Sequence, residues 1–145
     1  MMTELKIREA NPSDAETIVN FINGLAIFER LEDECVVNNQ LILENVFKNK
    51  FANVLIGEAD GFPVCFALYF FNFSTFLGKP GIYLEDLFVL PEHRSKGYGT
   101  KMLKHLAKIA LEKDCGRVEW SVLNWNQPAI KVYKSIGAKP MDEWT

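Results

Sequence analysis

Apolar positions along this chain switch between a period near 3.6 and a period of two, and the switches mark its elements. Leu5 to Arg8 alternates and predicts a short edge strand. Asn11 then stands as a helix cap, with Pro12 at the first helical position and Asp14 in the first turn. Ala15, Ile18, Val19, Ile22, Leu25 and Ala26 follow at helical spacing and predict the buried stripe of that helix. Gln40 to Phe47 predicts a second, shorter helix. Asn53 to Ala59 and Pro63 to Phe73 read as strands, and Asp60-Gly61 between them is a hairpin signal. Asn72 to Pro80 reads as a loop leading into a strand from Gly81 to Leu90. The helical period returns from Gly97 to Lys113, with Met102, Leu103, Leu106 and Ala110 on the buried face and Lys101, Lys104 and Lys108 on another. Gly116 to Val122 predicts a further strand, and Asn126 caps a last helix that ends before Gly137, a left-handed terminator. The order β-α-α-β-β-β-α-β-α predicts a single α/β domain over residues 1–145, built on a mixed sheet flanked by helices.

Composition narrows what such a domain does. Hydrophobic residues make up 48% of the chain, including eleven Phe, which supports a packed core rather than disorder. A net charge of −3 argues against nucleic acid as a partner and tilts the surface mildly toward cationic small molecules. Cys35, Cys65 and Cys115 are odd in number, far apart and without a CxxC, so they read as reduced thiols. His93 and His105 do not build a metal site alone, and no metal is expected. No apolar run approaches the ~20 residues of a membrane span, and none has signal-peptide form. A soluble, cytoplasmic protein without a membrane partner is expected.

The densest chemical signal is Arg94-Ser95-Lys96-Gly97-Tyr98-Gly99-Thr100, between an apolar strand and an amphipathic helix. Glycines spaced one apart let backbone N–H groups crowd and point outward, where a helix start adds partial positive charge. A strand, turn and helix of this kind suit an anionic group, most simply a pyrophosphate. The turn is not a nucleotide-triphosphate P-loop, because Gly-Lys-Ser/Thr is missing. It also lacks the third glycine of a dinucleotide fingerprint.

The element order, with Arg94-x-x-Gly97-x-Gly99 between the fourth strand and the third helix, resembles the GCN5-related N-acetyltransferase (GNAT) superfamily. Tyr83-Leu84-Glu85-Asp86-Leu87-Phe88-Val89 is similar to the core segment of its diamine (spermidine/spermine) branch, which includes thialysine acetyltransferase-like members. So are Trp125-Asn126-Gln127-Pro128-Ala129-Ile130 with Tyr133 and Gly137-Ala138, and Leu25-Ala26-Ile27-Phe28-Glu29. The resemblance covers nearly the whole chain. It implies a mostly antiparallel central sheet and a homodimer. It also implies a last strand beyond the position of Trp144, which a chain ending at Thr145 is expected to lack.

The reaction implied is acetyl transfer from acetyl-CoA to the primary amine of a small cationic acceptor. On this resemblance Glu85 is the general base, directly or through a water, and Tyr133 is the general acid that protonates the departing sulfur. Strand alternation puts Glu85 on one face with Tyr83 and Leu87 and sends Asp86 to the other, where it orients a loop or pairs with Arg94. For acetyl-CoA the resemblance implies Ser95, Lys96, Gly97, Tyr98, Gly99 and Thr100 at the pyrophosphate, with added charge from Arg94. Leu87, Phe88 and Val89 would pair through backbone groups with the pantetheine arm, near Asn126, Gln127, Pro128 and Ala129. For the acceptor it implies Phe28, Glu29, Glu85, Glu119, Trp120 and Ser121, carboxylates flanked by aromatic rings. By spacing alone each has an ordinary alternative: Glu85 and Glu29 as surface charges, Tyr133 as a half-buried helix residue, Phe28 and Trp120 as packing, Lys96 as a solvated turn residue. Acetylation of peptide amines and non-catalytic acyl-CoA binding remain open as rival functions, although a pure binder needs neither Glu85 nor Tyr133.

Overall fold

A computed structural model describes residues 4–120. The first strand, β1 (Lys6–Glu9), is followed by a helical turn at Pro12–Asp14 whose cap is Asn11. The Asn11 side chain accepts from the Ser13 N–H, and Asp14 accepts from the Asn11 N–H. These reciprocal bonds satisfy donors that a helix start otherwise leaves unpaired. Helix α1 (Ala15–Phe28) buries Ala15, Ile18, Phe21 and Leu25. Phe21, outside the expected stripe, is the centre of this face: its ring stacks on Phe66 at 5.1 Å and meets Phe88 edge-on at 6.5 Å. Val19, Ile22 and Ala26 are only half-buried at the margins.

The second helix, α2 (Asn39–Ile42), is capped by Asn38 and passes into a wider π-type turn over Leu43–Lys48. Three antiparallel strands follow: β2 (Asn53–Ala59), β3 (Phe62–Ser74) and β4 (Lys79–Val89). The expected loop from Asn72 to Pro80 shrinks to residues 75–78, because β3 and β4 keep pairing out to Ser74 and Lys79. Helix α3 (Tyr98–Glu112) buries Tyr98, Met102, Leu103, Leu106 and Ala110, and β5 (Arg117–Trp120) returns parallel to β4. Five strands in the order β1-β2-β3-β4-β5 form a mixed, mostly antiparallel sheet. This is the α/β architecture expected up to the fifth strand. The helix expected from Asn126 lies outside the described residues.

Two apolar clusters sandwich the sheet. One lies under α3 and includes Leu55, Cys65, Ala67, Tyr69, Ile82, Leu84 and Leu106. The other lies under α1 and α2 and includes Ile18, Phe21, Ile56, Phe66 and Phe88. Leu84 and Leu87 both pack on the α3 side although they are three residues apart. Strict alternation forbids that, and a register shift explains it: Leu84 faces Tyr69, Asp86 faces Leu68, and Glu85 is the extra residue. A bulge of this kind bends a strand and re-aims its side chains. The expectation that Glu85 shares one face with both Tyr83 and Leu87 is therefore corrected: Leu87 packs on the α3 side and Tyr83 stands on the other.

Candidate active site

After the bulge, Asp86 and Phe88 lie on the α1 side, since their β3 partners Leu68 and Phe66 pack there. Glu29 closes the C-terminus of α1 on the same side, its N–H bonded to Leu25 O at 2.8 Å. Burial pushes the Asp86 carboxyl up to about 7, and the neighbouring charges of Glu85 and then Glu29 push the same way. Glu29 is also raised, first by burial and then by Glu85. The charge of Glu85 acts on both Glu29 and Asp86, and that of Glu29 on Asp86, so the three carboxylates gather as one anionic cluster at the bulge. The sequence reading brought Glu29 and Glu85 together and left Asp86 out. Consecutive acids inside an apolar strand were the available signal, and the unseen bulge hid it.

Arg94 does not pair with Asp86. Its Nε donates to Val89 O at 3.0 Å, and its guanidinium lies 4.5 Å from the Phe28 ring centre and 5.4 Å from that of Phe88. Arg94 thus ties the end of α1, which carries Glu29, to the end of β4. Phe28 sits in this stack and packs against the α1 cluster.

From the same strand end the chain enters the glycine turn. Ser95 has φ +65° and Gly97, the cap of α3, has φ +80° and ψ +10°. A side chain is strained there, yet a Cβ on Gly97 would meet nothing within 4 Å. Left-handed backbone with open space in front suits an anion cradle at the start of a fifteen-residue helix. Ser95 and Lys96 are exposed, and Gly99 and Thr100 are half-buried. Tyr98 is 3% exposed within the α3 cluster, so only its backbone faces the turn. Leu87 and Val89 pack toward α3 and Phe88 toward α1, which leaves backbone groups to face a ligand. β5 pairs with β4 from Gly81 to Leu84, and among the described residues Glu85 to Val89 have no strand partner on that side.

Glu119 stands on β5 opposite Tyr83, already engaged by Arg117 Nε at 2.9 Å and Asn72 Nδ2 at 3.0 Å. Trp120 packs with the α3 cluster, away from the carboxylates. Ser121, Asn126, Gln127, Pro128, Ala129 and Tyr133 lie outside the described residues.

The chain belongs to the Acetyltransferase (GNAT) family, whose pattern matches residues 23–138. It is 37% identical to the thialysine N-epsilon-acetyltransferase of Sus scrofa, over 98% of this chain and 88% of that one. It is 32% identical to the human spermidine/spermine N(1)-acetyltransferase-like protein 1, over 94% of this chain and 21% of that longer protein. Among solved structures, a Vibrio cholerae integron cassette protein superimposes with a TM-score of 0.80 at 28% identity, covering 100% of this chain and 91% of the other. The protein is an acetyltransferase of the GNAT fold, and its relatives include the diamine and thialysine branch. Among the described residues no helix is long and apolar enough to cross a membrane.

Proposed function

We propose that the protein transfers the acetyl group of acetyl-CoA to the primary amine of a small cationic acceptor, a diamine, polyamine or thialysine-like amino acid. The observation that carries this is the placement of Glu29, Glu85 and Asp86 at the bulge of β4, the strand that leads into the Gly97 turn. Acetyl-CoA, when bound, supplies the activated acyl group. The turn from Ser95 to Thr100 would hold its pyrophosphate, and the backbone of Leu87 to Val89 its amide-bearing arm.

An alkylamine of pKa about 10.4 is neutral in roughly one molecule in a few thousand at pH 7. The anionic cluster attracts the ammonium form, Glu85 takes one of its protons, and the freed amine nitrogen then attacks the acyl carbon. A C–N bond forms and the C–S bond breaks. Tyr133 then gives its phenolic proton to the departing sulfur. A phenol near pKa ~10 stays protonated at neutral pH and needs no tuning for this task. The nitrogen's second proton leaves as the adduct collapses and restores the Tyr133 phenol, so the net products are the acetamide, the coenzyme A thiol and the proton held by Glu85.

A thiol-release screen over spermidine, thialysine, lysine and peptide amines tests the reading. Release with small cationic amines is expected, and release with none of them refutes it. Tyr133→Phe is expected to lower kcat at least about tenfold with little change in coenzyme A affinity by calorimetry. Unchanged turnover removes Tyr133 as the acid.

A further inference from the structure

Arg117 and Glu119 leave β5 on the face opposite Val118 and Trp120, which pack under α3. This is the face of Asp86 and Phe88, and in β4 it is also that of Tyr83, since Ile82 and Leu84 point to α3. Across the sheet Asn72, Gly81 and Arg117 align, and Phe70, Tyr83 and Glu119 align beside them. The Asn72 Nδ2 donates to one oxygen of Glu119 at 3.0 Å, and the Arg117 Nε forms an ion pair with the same oxygen at 2.9 Å. Gly81 makes this possible. A Cβ there would stand 2.9 Å from Arg117 Cγ and 2.6 Å from Asn72 Oδ1.

The pair is held but not exhausted. Arg117 uses only the Nε edge of its guanidinium, its side chain is 40% exposed, and no described contact engages its two terminal nitrogens. That fork is the part of an arginine that fits a carboxylate. Glu119 keeps its second oxygen, with the side chain 18% exposed. The bulge also fixes how far this pair lies from the anionic cluster. Tyr83, beside Glu119, faces Phe70, and Asp86 faces Leu68, so the Glu119 level lies two β3 positions, about 7 Å, from that of Asp86. Arg117 enters from the level of Gly81 and Asn72, two positions further, with its guanidinium brought to Glu119. The extended side chain of a lysine-like molecule covers a comparable span between its α-carbon and its terminal amine.

We propose that Arg117 and Glu119, steadied by Asn72 over Gly81, form a second subsite that binds the zwitterionic end of a diamino-acid acceptor. The α-carboxylate takes the Arg117 fork and the α-ammonium takes Glu119, while the terminal amine reaches Glu85 and Asp86. This rests on the amine-acetylating reading above and narrows its acceptor class. A diamine of equal length has no carboxylate for the fork and brings a second ammonium against Arg117, so the same residue attracts one acceptor and repels the other.

The test is steady-state acetylation of matched pairs, lysine against cadaverine and ornithine against putrescine, by the unaltered protein, Arg117→Gln and Arg117→Lys. Far-UV circular dichroism checks that each variant is folded. The unaltered protein is expected to prefer the amino acid of each pair. Arg117→Gln lowers that preference, as a ratio of kcat/KM, by at least about tenfold and mainly through the amino acid's KM. Arg117→Lys, which keeps charge but loses the fork, recovers part of it. A ratio that Arg117→Gln leaves intact overturns the proposal. So does an unaltered protein that acetylates amines without preferring the amino acid, a result that leaves the amine-acetylating reading standing. No thiol release with any amine refutes both.

Discussion

At the scale of single residues the β4 bulge sets two neighbouring acids apart by environment. Glu85 is exposed, whereas Asp86 is half-buried beside Phe88 and Leu68, and burial pushes the Asp86 carboxyl up to about 7. A carboxylate whose native pKa lies above its unfolded value of ~3.9 binds more protons when folded, so its cost to stability grows as pH rises from ~4 and is complete above about 7. Asp86→Asn is therefore expected to raise stability at pH 8 by on the order of 1–2 kcal/mol and to change it little at pH 4. Thermal melts at both pH values check this, and a variant less stable at pH 8 contradicts it. In the proposed reaction Glu85 takes the proton of the amine. Glu85→Gln should lower kcat/KM by about a hundredfold and flatten the acidic limb of the rate–pH profile. An unaltered limb would mean that another group takes the proton.

At the scale of elements the turn into α3 joins a left-handed cap to a helix whose first N–H groups have no intrahelical partner. Gly97 carries the conformation, and its φ of +80° is one that a Cβ disfavours by about 1–2 kcal/mol. Gly97→Ala should lower the melting temperature by roughly 2–8 °C and weaken coenzyme A binding more than tenfold. A full-strength calorimetric signal from the folded variant would exclude this turn as the pyrophosphate site. Arg94 adds a constraint between elements. Bonded to Val89 O and stacked on Phe28, it couples the end that bears Glu29 to the strand edge expected to hold the cofactor arm. Either site thus inherits its geometry in part from the other.

At the scale of the molecule an ion-pair network fastens the first turn of the helical layer to the sheet. Arg8 on β1 donates both terminal nitrogens to Asp14 at 2.8 Å and its Nε to Glu58 on β2 at 3.0 Å. The Arg8 bonds hold Asp14 below the usual carboxylate range, with burial opposing and the Asn11 N–H assisting. The sign is opposite to that of Asp86. This stabilisation is fully present above the unfolded pKa of ~3.9 and is lost as pH falls through the depressed native value. Arg8→Gln leaves a buried acid without its cation and should cost roughly 1–3 kcal/mol at pH 7. The difference from the unaltered protein should narrow on acidification, as urea melts between pH 3 and pH 7 would reveal.

Most of the architecture was legible because it rests on periodicity. Helical spacing located α1 and α3, alternation with Asp60-Gly61 located β2 and β3, and the Gly97-x-Gly99 turn announced a strand leading into a helix. These signals are local, and local chemistry suffices to write them. Phe21 at the centre of its face, the length of the β3–β4 hairpin and the extra residue at Glu85 were not legible, since each depends on what lies across the layer or the adjacent strand. Asp86, Arg117 and Asn72 are far apart in the chain, and only the paired sheet sets them along one face, to which α1 brings Glu29. The sequence by itself determined the order of elements and the residues able to do chemistry. Tertiary structure alone decided which of them share a site, because a one-residue shift in strand register reverses the face on which every later side chain stands.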